Sequence, residues 1–239
     1  TCAPHLLFLP DRNRDDIPDG PPEVLLDGWD KSAVRHNIVN GLMWGPDGWL
    51  YGRHGILATS FVGRPGDTLS QRQAINCGVW RFHPRKRKFE VVAHGTTNPW
   101  GMDYNNDGDL FMINTVIGHL WQVMPGARYD RMYGSHFNPY TYQTMEQSAD
   151  HYHWNRAGGE AWHDTKKIGV TPETDRSGGG HAHCGMLYYG DDQWPEKYRD
   201  SILTCNLLGH RINRDLLVPR GNGFVGRHRP DFARTSDTW

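Results

Sequence analysis

The feature that most constrains this chain is an internal repeat. Gly41-Leu42-Met43-Trp44-Gly45-Pro46-Asp47-Gly48-Trp49-Leu50-Tyr51 recurs without a gap as Gly101-Met102-Asp103-Tyr104-Asn105-Asn106-Asp107-Gly108-Asp109-Leu110-Phe111, 60 residues on. Each copy reads as a short apolar strand, a tight turn and a second apolar strand, with Asp-Gly supplying positive-φ positions at no steric cost. A further strand follows each copy: 78–84 matches 118–125, and 89–95 reads as the outer strand of the first unit. Four strands per unit in meander order describe a propeller blade, whereas a sandwich shows similar strands without such self-similarity. Residues 6–9 and 22–26 read as the end of an earlier blade, and 186–189 with 201–205 as the opening of a later one. The expectation is an all-β fold, a single β-propeller domain over 1–239, read as a fragment because the chain runs from Thr1 to Trp239 without obvious ends.

Composition narrows the function. With 26 basic against 27 acidic residues the net charge is −1, which lacks the basic excess of a general nucleic-acid binder. No run approaches the roughly 18 apolar residues of a membrane-spanning helix. The 10 Trp, 10 Tyr and 8 Phe exclude a disordered chain. Four cysteines stand at Cys2, Cys77, Cys184 and Cys205 with no CxxC, which excludes zinc-ribbon and c-type haem motifs within these residues. They allow two disulfides or isolated thiols, and Cys184 and Cys205 are expected on neighbouring strands of one hairpin.

Residues 129–180 break the strand pattern. They are rich in aromatics, His and Gly, hold Asp150-His151-Tyr152-His153-Trp154, and read as a long irregular insertion over one mouth of the propeller. Several side chains in blade-entering connections are chemical candidates. His36 precedes the first hairpin; an imidazole there has the pKa of a general base, or is a loop histidine bonded to backbone. Asn98, extended because Pro99 follows it, aims an amide inward, and Trp100 offers a stacking face or a core ring. His181 and His183 alternate in an extended segment and are expected to share a face. With His36, His54 or His153 they are also candidates for a copper, zinc or iron site. Asp11, Asn13, Asp15 and Asp19 place oxygens at alternate positions, which suits Ca²⁺ or a polar turn.

Taken together, the His36–Gly55 stretch, residues 78–114 and residues 181–215 resemble the soluble quinoprotein glucose/sorbosone dehydrogenase family, and more narrowly the membrane-bound dehydrogenases of planctomycete-type bacteria. The resemblance implies a six-bladed propeller. It further implies an oxidoreductase in which His36 abstracts a proton from a sugar or alcohol hydroxyl while hydride passes to pyrroloquinoline quinone. Asn98 matches a quinone contact, and His181, His183, His210 and Arg211 fall among the polar groups at the mouth. Thr97 stands where the family has Arg, and Leu208-Gly209-His210-Arg211 stand where it has Lys. An electron acceptor such as a cytochrome c domain outside this chain, a structural Ca²⁺ and a periplasmic or otherwise extracytoplasmic setting, membrane-associated through parts not present here, belong to the same expectation. The alternatives are a non-catalytic propeller binding carbohydrate or protein, and a His-bound metal site.

Overall fold

A computed structural model describes residues 2–34 and 36–236. The chain divides into two compact units, Thr1–His94 and Gly95–Trp239.

In the first unit, β1 (Leu6–Phe8) and β2 (Glu23–Leu26) form an antiparallel pair. The first repeat copy becomes the hairpin of β3 (Leu42–Trp44) and β4 (Leu50–His54). Next come a small hairpin of β5 (Ser60–Val62) and β6 (Gln73–Ile75), then β7 (Gly78–His83) and β8 (Lys88–Thr96). β3, β4, β7 and β8 pair in that order, all antiparallel, as a four-stranded meander. Trp80 on β7 faces Gly52 on β4, and its indole lies where a Cβ at residue 52 would come within 2.2 Å. Gly52 therefore lets the ring lie flat on the sheet, where it meets Trp29 and Phe89 at centroid distances of 5.3 and 5.7 Å. These rings with Leu6, Leu26, Val62, Ile75 and Phe82 make the unit's core. Truncating a ring buried this way typically costs about 3–5 kcal/mol.

In the second unit the repeat's second copy forms β9 (Pro99–Tyr104) and β10 (Leu110–Asn114), joined by β11 (Leu120–Val123). The two copies turn alike. Gly45 N–H donates to Trp49 O at 2.8 Å and Gly48 N–H to Gly45 O at 3.1 Å; Asn105 and Gly108 repeat the pair at 3.0 and 3.1 Å. Gly48 and Gly108 take φ of 77° and 84°, which is why glycine recurs there. Beyond β12 (Arg128–Arg131) the chain is mostly irregular, with two short helices, α1 (Asp164–Ile168) and α2 (Pro172–Ser177). Then β13 (His183–Tyr189), β14 (Ser201–Asn206), β15 (Arg211–Arg220) and β16 (Gly223–Arg234) form a second four-stranded antiparallel meander. Cys184 and Cys205 are direct cross-strand partners, as expected. Phe111, Ile113, Leu120, Ile202 and Leu217 form this unit's core. Among the described residues no helix is long and apolar enough to cross a membrane.

Candidate metal centre

The second unit buries an aspartate among five imidazoles. Asp215 sits inside β15 opposite His228 of β16. A buried carboxylate is costly unless it is paired, so its surroundings carry information. Residues 148–150 run as an extra strand-like segment between β11 and β16: Ser148 N–H donates to Leu120 O at 2.8 Å, Gly226 N–H to Ser148 O at 2.7 Å, and Asp150 N–H to Gly226 O at 3.2 Å. That path brings His151 and His153 beside Asp215. His119 arrives from the β10–β11 turn, where Gly118 has φ 135° and a Cβ would meet Gln147 Oε1 at 2.6 Å. Gln147 is held there because it accepts from His119 N–H at 3.0 Å and donates to His151 O at 2.5 Å.

His119, His151, His153 and Asp215 each offer a donor atom within 4.8 Å of the others. Three of those atoms form a tighter face. His151 Nε2 lies 3.1 Å from His153 Nε2 and 3.2 Å from Asp215 Oδ1, and His153 Nε2 lies 3.9 Å from Asp215 Oδ1. Adjacent ligands on an ion with bonds of ~2.1 Å stand roughly 3.0–3.4 Å apart, so His151 is at ligand spacing from both His153 and Asp215, while the His153–Asp215 edge at 3.9 Å has to close by about half an ångström for all three to share one ion. The far atom of each is held by a second residue. Asp150 Oδ1 is 3.1 Å from His151 Nδ1, His183 Nε2 is 2.7 Å from His153 Nδ1, and His119 Nε2 is 2.6 Å from Asp215 Oδ2. Such outer partners fix ring orientation and tautomer at metal sites. His228 stands over the more exposed side, its Nδ1 3.8 Å from Asp215 Oδ1. Asp215 Oδ1 and the Nδ1 atoms of His119, His183 and His228 are buried and make no aligned hydrogen bond. Buried polar atoms are rarely left so.

Charge fits the same reading. Burial pushes His119 below the ordinary imidazole value, and His153 and His183 well below it. Burial acts the same way on His151, but Asp215 and Asp150 together outweigh it and raise that group. Burial opposes ionisation of Asp215, yet His119, His151 and His228 hold its carboxyl well below the usual range. Asp215 is thus favoured as the carboxylate and His119, His153 and His183 as neutral imidazoles, whereas His151 is favoured in its protonated form and has to release that proton to an ion it ligates.

The expected site residues fall as follows. His183 joins the cluster as the partner of His153. His181 does not share its surroundings: His183 N–H bonds to His181 O at 3.1 Å, the local turn ends the alternation, and the His181 ring packs edge-on to Trp162 at 5.5 Å. Burial, with Lys166 and His163 adding to it, pushes His181 down to about 4. Asn98 O accepts from Thr115 Oγ1 at 2.7 Å, and Trp100 is exposed on β9. His210 lies in the exposed β14–β15 turn. Arg211 is buried and ion-paired with Asp175 and with Asp231. His36, in the first unit, is exposed in the connection before β3. In the same unit His54 is a satisfied core histidine between Gly55 O and Ser60 Oγ, and burial pushes it down to about 4. In the 11–19 loop, Asp11, Asp15 and Asp19 accept from the loop's own N–H groups, and Asn13 Nδ2 donates to Asp15. His119, His151, His228 and Asp215 are not among the site residues that the sequence alone picks out; an Asp directly before Leu216-Leu217-Val218, in a strand that is buried, is the signal that could have found them.

A family model described as "Domain of unknown function (DUF7133)" matches residues 1–239, and the chain belongs to that family. No curated protein matches the sequence significantly. Among solved structures, the PQQ-bound aldose sugar dehydrogenase of Streptomyces coelicolor is similar at TM-score 0.53 and 17% identity, over 89% of this chain and 53% of that one. An oxidoreductase of Thermus thermophilus described as a glucose dehydrogenase is similar at TM-score 0.52 and 16% identity, over 89% of this chain and 57% of that one. The chain thus spans a little over half the length of these structures and shares their fold.

Proposed function

We propose that this DUF7133 chain is part of an oxidoreductase acting on sugar or alcohol hydroxyls, with a single divalent transition ion held by His151, His153 and Asp215. The observation that carries the reading is the convergent donor face whose every outer atom is separately held. The fold shared with sugar dehydrogenases supports the substrate class. Mixed imidazole and carboxylate donors suit iron, zinc, manganese or copper. An ion bound there would polarise a substrate oxygen and ease loss of its proton. His151 Nε2, His153 Nε2 and Asp215 Oδ1 would hold it, and His119, His183 and Asp150 would keep those three aimed. His228 stands on the accessible side, within reach of a ligand on the open positions. An extracytoplasmic setting and an electron acceptor outside this chain go with this reading.

A second reading keeps pyrroloquinoline quinone, in favour of which stand the shared fold and the matches at His36 and Asn98. A planar tricarboxylate needs donors that are not already committed. Of the residues assigned to it, Arg211 is committed to Asp175 and Asp231, and His183 to His153; His181 Nδ1 is a buried atom without a partner. On this reading Asn98, Trp100, His181 and His210 remain as the contacts to the quinone, and Arg211 and His183 would have to leave their present partners to join them.

Metal analysis of the purified protein, paired with dye-linked oxidation of an aldose and alcohol panel, tests both readings. Near-stoichiometric metal, with turnover lost on chelation and in Asp215→Asn, is expected. Turnover that follows added quinone and ignores chelation establishes the second reading in place of the first. Carbohydrate binding without oxidation under any condition leaves a binding propeller.

A further inference from the structure

Cys184 and Cys205 occupy directly opposed positions on the antiparallel strands β13 and β14. Opposed residues on such strands have Cα atoms about 4.5–5.5 Å apart, within the span a disulfide bridges without moving the backbone. A one-residue bulge follows at Gly185, whose φ is 67°, and a Cβ there would sit 3.9 Å from Cys205 Sγ. Both side chains are exposed and line one cleft of about 270 Å³, with Leu207, Ile212 and Ala233 as its apolar wall. The pair also adjoins the metal centre in sequence: the next register pair is His183 with Asn206.

We propose that Cys184 and Cys205 form a redox-active cross-strand pair that closes to a disulfide when a small disulfide oxidant is present. One thiolate attacks a sulfur of the oxidant and releases one thiol. The second thiolate then displaces the other half from the mixed disulfide, so that two cysteines are oxidised by two electrons and the oxidant leaves as two thiols. Partial desolvation against the cleft wall and the nearby Cys205 push the Cys184 thiol up, which disfavours Cys184 as the first attacker. Closure links 20 intervening residues, pins the start of β13 to the end of β14, and so fixes the strand that carries His183.

The experiment uses the whole chain, incubated with oxidised glutathione, blocked with iodoacetamide and digested with trypsin without reduction. The two cysteines fall in different peptides, 177–197 and 200–211, so a bridge joins two otherwise separate masses. Expected are the joined peptide, loss of two of the four alkylatable thiols, and an unfolding temperature several degrees higher than in reductant. Cys184→Ser and Cys205→Ser should each abolish the joined peptide and leave a glutathione adduct on the remaining thiol; Cys77→Ser, at a buried position, should leave the joined peptide in place. Full alkylation of 184 and 205 after oxidation, a stable glutathione adduct in the unsubstituted protein, or a bridge to Cys2 or Cys77 overturns the proposal. None of these readouts depends on metal content.

Discussion

Replacing His183 by Leu separates a metal centre from a chance gathering of histidines. When His153 gives its Nε2 lone pair to an ion, its proton must sit on Nδ1, which is 2.7 Å from His183 Nε2 in a fully buried pair. Without an ion the ring is free to carry its proton on Nε2, facing His151 Nε2 at 3.1 Å. The loss of His183 therefore falls mainly on the metal-bound form. A buried N–H left unsatisfied costs roughly 1–3 kcal/mol. At about 1.4 kcal/mol per tenfold, that weakens metal affinity by about 5- to 150-fold, which brackets the 10- to 100-fold typical of outer-shell substitutions. His183→Gln retains an acceptor and should fall between. Asp150→Asn should cost less than His183→Leu, because the Asp150 side chain is 46% exposed and water can replace it at His151. Competition with a chromophoric chelator for Zn²⁺ or Co²⁺ measures all three, with Co²⁺ absorption reporting the ligand field. A folded His183→Leu protein that binds as tightly as the parent would refute the assignment of His153 as a ligand.

Three further outcomes are expected. The His54 value of about 4 lies below its unfolded value near 6.5, so its stabilising effect is complete above pH 6.5 and lost as pH falls toward 4. That difference is worth roughly 3 kcal/mol, and urea melts at pH 7, 5.5 and 4.5 should show a steep decline that His54→Asn flattens. Gly118→Ala puts a side chain at φ 135° and into Gln147, so it should destabilise the second unit by about 1–3 kcal/mol and lower metal affinity with it, read by thermal melts and the same chelator assay. Calcium at the 11–19 loop has to displace the N–H groups that Asp11, Asp15 and Asp19 accept, so calorimetry should show heat only at about millimolar Ca²⁺ or above; micromolar binding would mean that the loop rearranges.

What is legible in the chain is local. Asp-Gly turns and alternating strands are written in adjacent residues, so both repeat copies and the four-strand order β3, β4, β7, β8 can be read directly. The site is assembled from residues 96 positions apart, as His119 and Asp215 are, and no local pattern encodes that meeting. His183 stands out in the sequence by residue type, as a candidate cofactor or metal contact with His181 as its companion. Alternation places His181 beside it, whereas a turn between the two sends one ring to Trp162 and the other to His153. The useful signal lies in cost rather than in motif. Asp215 stands between Arg214 and Leu216-Leu217-Val218, and a carboxylate that such a strand buries must be paired or ligated to be tolerated. Likewise His151 registers in the sequence only as part of an aromatic insertion, and His153 as one of several histidines that could join a metal site. Their spacing of two matters because residues 148–150 are held straight between β11 and β16, and that constraint exists only in the folded unit. A buried acid in search of its partners, and histidines on a segment the sheet will straighten, are jointly informative where neither is alone.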